Sequence, residues 1–170
     1  GGEYGYLYNP KQIRFLLKDS IGLDVNGILQ ELPPTTHSPI IGWAYDGHPI
    51  YGPYGYQDPE NKTPFNQYKR IRSSYRVKTA RDAILSGLTD PLGTYLEDYE
   101  YVEGLGDLDR YNGRFCVTPE YPNGIYAYFT TITGTTGNPA FPYFVGPEFY
   151  GEADSVNWNG NGLQKNFTED

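Results

Sequence analysis

Apolar positions along this chain come in short runs, and turn residues bound nearly all of them. Ile40-Ile41-Gly42-Trp43-Ala44-Tyr45 lies between Pro39 and Asp46-Gly47, which predicts a buried strand followed by a turn. Ile125–Ile132 carries the densest β-branched and aromatic content and predicts the strongest strand. Arg114–Thr118 and Phe141–Val145 read as shorter strands, Tyr68–Val77 and Tyr95–Val102 as alternating ones, and Ile50–Tyr56 as a bent strand or ordered loop rich in tyrosine. Helical patterning is scarce. Gln12–Lys18 follows Pro10 and predicts one or two turns, and Thr79–Leu85, ahead of Gly87, predicts a second short helix. Asn26-Gly27 marks a tight turn, Thr133–Pro139 a loop, and Asp58–Gln67 a polar turn region. The sum is a mainly β fold: a single-domain sandwich or barrel-like module of short strands with one or two short helices.

Composition changes this picture in two ways. Only 38% of the 170 residues are apolar, yet there are 18 Tyr, 8 Phe and 2 Trp. Tyrosine buries a ring while its hydroxyl seeks a polar partner, so a tyrosine-rich core is packed and polar at once. Second, the net charge is −8, which argues against a nucleic-acid partner. Lys69, Arg70, Arg72, Arg76, Lys78 and Arg81 form the local basic cluster, read either as a solvated face or as a polyanion site. No apolar stretch reaches the length of a membrane span. The lone Cys116 cannot pair within the chain and reads as a core residue. The absence of Met suggests a piece of a longer protein.

Three blocks go further than composition. The first runs from His37 to Gly55 and contains Gly42-Trp43-Ala44-Tyr45-Asp46-Gly47-His48-Pro49-Ile50-Tyr51-Gly52. The second contains Leu108-Asp109-Arg110-Tyr111-Asn112-Gly113 and continues to Thr118-Pro119-Glu120. The third is Tyr126-Ala127-Tyr128-Phe129, followed by Phe141-Pro142-Tyr143 and Gly146. Their order and spacing resemble the YHYH domain family, whose third block is a Tyr-His-Tyr-His strand. That strand suggests metal binding for the family, but here Ala127 and Phe129 replace both histidines. The altered form is similar to domains in large structural proteins of cyanobacterial tailed phages (myophages).

The resemblance implies a YHYH-type domain over residues 37–150, with residues 1–36 as an N-terminal flanking segment packed on it and residues 151–170 as a Gly/Asn-rich tail. It also implies a non-catalytic structural or adhesive role in a virion tail, baseplate or fibre. The partners would be other virion proteins or the host surface, the parent assembly homo-oligomeric, and the location extracellular, on the virion. The alternatives are a metal-ion or glycan-binding extracellular module and a polysaccharide hydrolase.

The candidate ligand or pocket residues are Asp46, His48, Tyr51, Tyr54, Asp107, Asp109, Asn112, Glu120, Tyr126 and Tyr128. Asp46-Gly47 reads as a turn, or as a pocket carboxylate beside His48. His37, His48 and Asp46 form a candidate transition-metal set, provided a hairpin brings the two histidines together. Asp107, Asp109 and Asn112-Gly113 read as an Asx-rich turn or as a Ca²⁺ loop. Glu97, Asp98, Glu100 and Glu103 among tyrosines have the composition of a glycosidase cleft, and equally that of a solvated strand. The tyrosine-rich stretches 51–56 and 121–129 read as core or as rings offered to a sugar or a partner protein. Asn61-Lys62-Thr63 and Asn166-Phe167-Thr168 match the glycosylation pattern and read as chance matches.

Overall fold

The computed structural model describes residues 8–61, 65, 67–85, 87–134 and 136–153. The expected tail beyond residue 153, the Asn166 motif and most of the Asn61 motif lie outside them. Chain order begins with helix α1 (Lys11–Leu16) and a hairpin of β1 (Ile21–Leu23) and β2 (Leu29–Glu31). Then come β3 (Ile40–Trp43), β4 (Pro49–Tyr51), β5 (Tyr54–Tyr56), β6 (Tyr68–Arg70) and β7 (Tyr75–Val77). The remaining strands are β8 (Tyr99–Tyr101), β9 (Gly113–Cys116), β10 (Ile125–Phe129), β11 (Ile132–Thr133) and β12 (Asn138–Pro139). Short 3-10 turns occupy Ala83–Leu85 and Leu96–Asp98. The fold is mainly β, as the pattern predicts, and its strands form small sheets. Among the described residues none of these sheets closes into a barrel.

One sheet organises the molecule, in the order β3-β4-β10-β9. β3 and β4 form an antiparallel hairpin, β10 runs parallel to β4, and β9 returns antiparallel to β10. Side chains alternate faces along a strand, so Tyr126-Ala127-Tyr128-Phe129 sends its tyrosines one way and Ala127 and Phe129 the other. Ala127 and Phe129 join Tyr51, Ile71, Leu108 and Cys116 in an apolar core. Tyr126 and Tyr128 pack with Ala44, Ile50, Tyr111, Val145 and Phe149 on the opposite face. Each large ring so enclosed contributes roughly 1.5–3 kcal/mol. Four two-stranded ribbons surround this sheet: β1-β2, β5-β6, β7-β8 and β11-β12.

The turn between β1 and β2 forms where Asn26-Gly27 predicts it. Asp24 Oδ1 accepts the Asn26 and Ile28 amides, both at 2.8 Å, and Gly27 takes φ +76°. Several segments differ from the pattern, and the stretches 68–77 and 125–132, expected as single strands, are each divided between two. The expected helix at Thr79–Leu85 is only a 3-10 turn at its end, because Arg81 is turned toward Asp98 and the carbonyls of Leu88, Asp90 and Pro91. The expected strand at Tyr95–Val102 opens as a 3-10 turn, because Asp98 Oδ2 gathers the amides of Gly93, Thr94 and Tyr95. Phe141–Val145 is a turn rather than a strand: Tyr143 N donates to Ala140 O at 2.9 Å and Phe141 stacks on Tyr99. The expected loop at Thr133–Pro139 instead contributes to the β11-β12 ribbon.

The N-terminal segment is bound to the domain by a buried ionic network. Arg14 in α1 is fully buried, although Leu16 and Leu17 beside it are exposed. Its guanidinium meets Asp19 Oδ2 at 2.6 Å and Glu31 Oε1 at 2.7 Å, and Glu31 also accepts the Tyr54 hydroxyl at 2.8 Å. Ser38 Oγ donates to the Asp19 carboxylate at 2.9 Å, and Asn9 Nδ2 reaches Gly137 O at 3.1 Å. Gly52 lies so close that a Cβ there would sit 2.7 Å from Asp19 Oδ2. No helix among the described residues is long and apolar enough to cross a membrane.

Candidate functional site

The strongest concentration of polar chemistry lies on the tyrosine face of β10. The turn after β3 places Asp46, with Gly47 at φ +80° and the His48 amide donating to Asp46 Oδ1 at 3.2 Å. The Asp46 side chain is wholly enclosed. Tyr128 donates its hydroxyl to Asp46 Oδ2 at 2.5 Å and accepts the Tyr150 amide at 2.7 Å. Gly151 N donates to the same carboxylate oxygen at 3.0 Å, and His48 Nδ1 lies 3.1 Å from it. Asp46-Gly47 is thus a turn whose carboxylate is enclosed and hydrogen-bonded beside His48.

Tyr126 extends the cluster. Its hydroxyl is shared by both oxygens of Asp109 at 3.0 Å, and its ring stacks on Tyr150 with centroids 3.6 Å apart. His48 meets Tyr126 and Tyr150 edge-on, at 5.3 and 5.6 Å. Asp109 Oδ1 also accepts the amides of Tyr111 (2.9 Å) and Gly113 (3.2 Å), the Asx-turn arrangement. A Cβ on Gly113 would run into the Tyr126 ring and hydroxyl, so the Asn112-Gly113 pair leaves room for that tyrosine. Asn112 is buried at φ +63° and donates to Phe129 O (3.0 Å) and Phe144 O (2.9 Å), tying β10 to the turn beyond it.

Electrostatics match this geometry. Burial tends to raise the Asp46 carboxyl, but hydrogen bonds from Tyr128, Gly151 and His48 outweigh it and hold the pKa below the ordinary carboxylate value. Burial, and then the neighbouring Asp109 and Asp46 respectively, push the Tyr126 and Tyr128 hydroxyls well above the usual phenol range. At neutral pH the tyrosines are therefore fixed donors and Asp46 a fixed acceptor.

The other candidates lie elsewhere. His37 and His48 are on opposite faces of the sheet. His37 packs against Phe129 and Tyr51, and His48 against Tyr128, so the hairpin does not bring the two imidazoles together. His37 is buried and its Nδ1 lies 2.7 Å from Ser38 O, while burial lowers its pKa. Tyr51, on the His37 face, donates to Glu120 Oε2 at 2.9 Å and stands 2.9 Å from Thr118 Oγ1. Tyr54 belongs to the Arg14 network. Asp107 does not join Asp46 or Asp109: it pairs with Lys69 Nζ at 2.6 Å and accepts the Arg72 amide at 2.9 Å. Among the described residues no three His, Cys, Asp or Glu side chains are grouped to hold a metal ion. Burial pushes the Cys116 thiol up, away from the thiolate form a nucleophile needs.

Of the glycosidase-like acids, Asp98 is clamped by Arg81 at 2.7 and 2.9 Å. That clamp, reinforced by the amides of Tyr95 and Gly93, lowers its pKa to about 2. Sequence reasoning missed Tyr150, Gly151, Arg14, Asp19, Glu31 and the Arg81–Asp98 pair. For the Arg14 network the available signal was an arginine set among Ile13, Phe15, Leu16 and Leu17.

The protein-family comparison agrees with the three blocks. A family model described as YHYH protein matches residues 1–140, taking in the N-terminal segment, the first two blocks and the Tyr126-Ala127-Tyr128-Phe129 part of the third. No curated protein and no solved structure is significantly similar to the chain. With more than four fifths of its length matched, the chain belongs to the YHYH protein family.

Proposed function

We propose that this chain is a non-catalytic β module that serves as a structural or adhesive domain of an extracellular assembly, a tail, baseplate or fibre protein of a phage virion. One observation carries the scaffold part of this reading. The acids of the signature blocks bind tyrosine hydroxyls of the central strands: Asp46 takes Tyr128, Asp109 takes Tyr126, and Glu120 takes Tyr51. These carboxylates are occupied in joining loops to the sheet. The phage setting rests on the likeness of the altered third block to phage structural proteins. Exposed Leu16, Leu17, Leu23, Val25 and Ile28 on the N-terminal helix and hairpin suit a component covered by neighbours in an assembly.

A hydrolase needs paired carboxyls with divergent pKa values, one raised to act as acid. Asp98 is lowered by Arg81, and at Asp107 burial is outweighed by Lys69 and the Arg72 amide, so both stay ionised at neutral pH.

Mass spectrometry of particles purified from the source that encodes the chain tests the virion role. Peptides of this chain in stoichiometric amount are expected, and their absence from intact particles removes the proposal. Thermal melts with Ca²⁺, Cu²⁺ or Zn²⁺ test the metal alternative, because a ligand of the folded state raises the midpoint. No shift is expected with any of the three.

A further inference from the structure

The Arg81–Asp98 clamp uses one arginine of the basic cluster, but Arg70, Arg72 and Arg76 line an open groove. A cavity of about 410 Å³ is bordered by these three residues together with Tyr75, Tyr99 and Phe141. A second cavity, of about 560 Å³, is bordered by Leu32, Pro34 and Tyr54 and meets the first at Arg70, Arg72 and Gly134, which line both.

The cations in this groove are only partly neutralised. Arg70 donates to Gly134 O at 2.6 Å, which orients its guanidinium without cancelling its charge. Arg72 is 57% exposed, and its acidic contact among the described residues, with Asp107, is long at 3.7 Å. Arg76 pairs with Glu100 at 2.8 Å but remains 56% exposed, a geometry that a competing carboxylate can exchange into. Of the acids nearby, Glu31 is already neutralised by Arg14, and Asp107 is drawn to Lys69. The groove is therefore locally positive on a chain of net charge −8.

Its floor is aromatic and braced. Phe141 stacks on Tyr99 at 4.0 Å, and Tyr75 meets Phe141 edge-on at 5.2 Å. All three residues are half-buried, and all three line the first cavity.

We infer that this groove binds a carboxylated polysaccharide, with sugar carboxylates held by Arg70, Arg72 and Arg76 and sugar ring faces packed on the aromatic floor. Guanidinium groups take carboxylates through two parallel N–H donors, a match that a lysine face lacks. A nucleic acid fits less well, because the overall negative charge of the chain repels a continuous phosphate backbone. The inference deepens the adhesive half of the reading above and rests on it for its biological setting alone.

Isothermal titration of the full chain with oligomers of galacturonate, glucuronate and mannuronate tests it. Methyl-esterified galacturonate oligomers, poly-glutamate and single-stranded DNA are the comparison probes. Saturable binding of at least one uronate oligomer is expected, lost on esterification and weakened by added salt. Arg70→Gln and Arg72→Gln should each weaken it about tenfold or more, whereas Lys78→Gln, with the same change in net charge but its lysine paired to Asp82, should leave it within about twofold. Circular dichroism of each variant separates lost binding from lost fold. Failure of all three uronates to bind, equal binding of the esterified form, equal loss in Lys78→Gln, or tighter binding of DNA or poly-glutamate overturns the inference. None of these results bears on particle mass spectrometry, so the virion reading stands or falls separately.

Discussion

Removing a single oxygen atom tests how the signature blocks hold the sheet. Tyr128→Phe keeps the ring and its edge contacts with Tyr126 and His48. It deletes the hydroxyl that donates to Asp46 and accepts the Tyr150 amide. A hydrogen bond to a charged partner contributes roughly 1.5–3 kcal/mol net. The orphaned Tyr150 amide adds about 1 kcal/mol, at the low end of such penalties because Tyr150 is 52% exposed and water can reach it. The expected loss is therefore about 2.5–4 kcal/mol at pH 7, read from urea unfolding of both proteins.

The same variant carries a pH signature. Because the fold lowers the Asp46 pKa, the associated stabilisation is complete above the ordinary carboxylate value, near ~3.9, and drains away as pH falls through the lower folded value. Tyr128→Phe removes one cause of that lowering. The difference between variant and parent should accordingly shrink as the pH is lowered from 7 to below the ordinary carboxylate range, where Asp46 takes up its proton. A loss below about 0.5 kcal/mol at pH 7, or an identical loss at both pH values, refutes the claim that this hydroxyl couples the Asp46 turn to β10.

Three further outcomes are expected. Arg14→Met leaves Asp19 and Glu31 enclosed without their cation and should cost about 3–5 kcal/mol in urea unfolding; a cost under about 1 kcal/mol contradicts the network's role. Asp98→Asn should flatten the parent's fall in stability between pH ~4 and about 2, since the Arg81-held carboxylate stabilises the fold above its unfolded pKa and ceases to as pH drops through about 2. An unchanged acid limb in thermal melts argues against it. Gly113→Ala drives a methyl group into Tyr126 and should destabilise by about 1–3 kcal/mol, while Gly87→Ala, which meets open space, should stay within about 0.5 kcal/mol. Equal effects at the two glycines would show that close packing under Tyr126 is not limiting.

Local chemistry was legible in the sequence. The Asn26-Gly27 turn, the Asp46-Gly47 turn and the strand at Ile125 follow from turn residues and aromatic alternation within a few positions. What escaped depends on partners far along the chain. Arg14 sits in the short helix the pattern predicts, yet the arginine is its buried residue, because Asp19, Glu31 and Asn9 converge on it. Tyr95–Val102 alternates like a strand, but Arg81, seventeen residues before Asp98, fixes a 3-10 turn there. The candidate site was half legible. Asp46, His48, Asp109, Tyr126 and Tyr128 do come together, whereas Asp107 and His37 are drawn to partners on other surfaces. Chain path decides the histidines: His37 precedes β3 and packs on Phe129, whereas His48 precedes β4 and packs on Tyr128, which points to the other face of β10.

The parallel pairing of β4 with β10 has a consequence for synthesis. Residues 52–124 separate the paired segments, so a nascent chain emerging from the ribosome can close its early ribbons long before the central strand exists. Until residue 129 is out, Ile50 and Tyr51 lack their β10 neighbours, and such long-range closure is slow compared with hairpin formation. Premature termination anywhere before β10 would therefore release a sticky collection of hairpins rather than a smaller working domain.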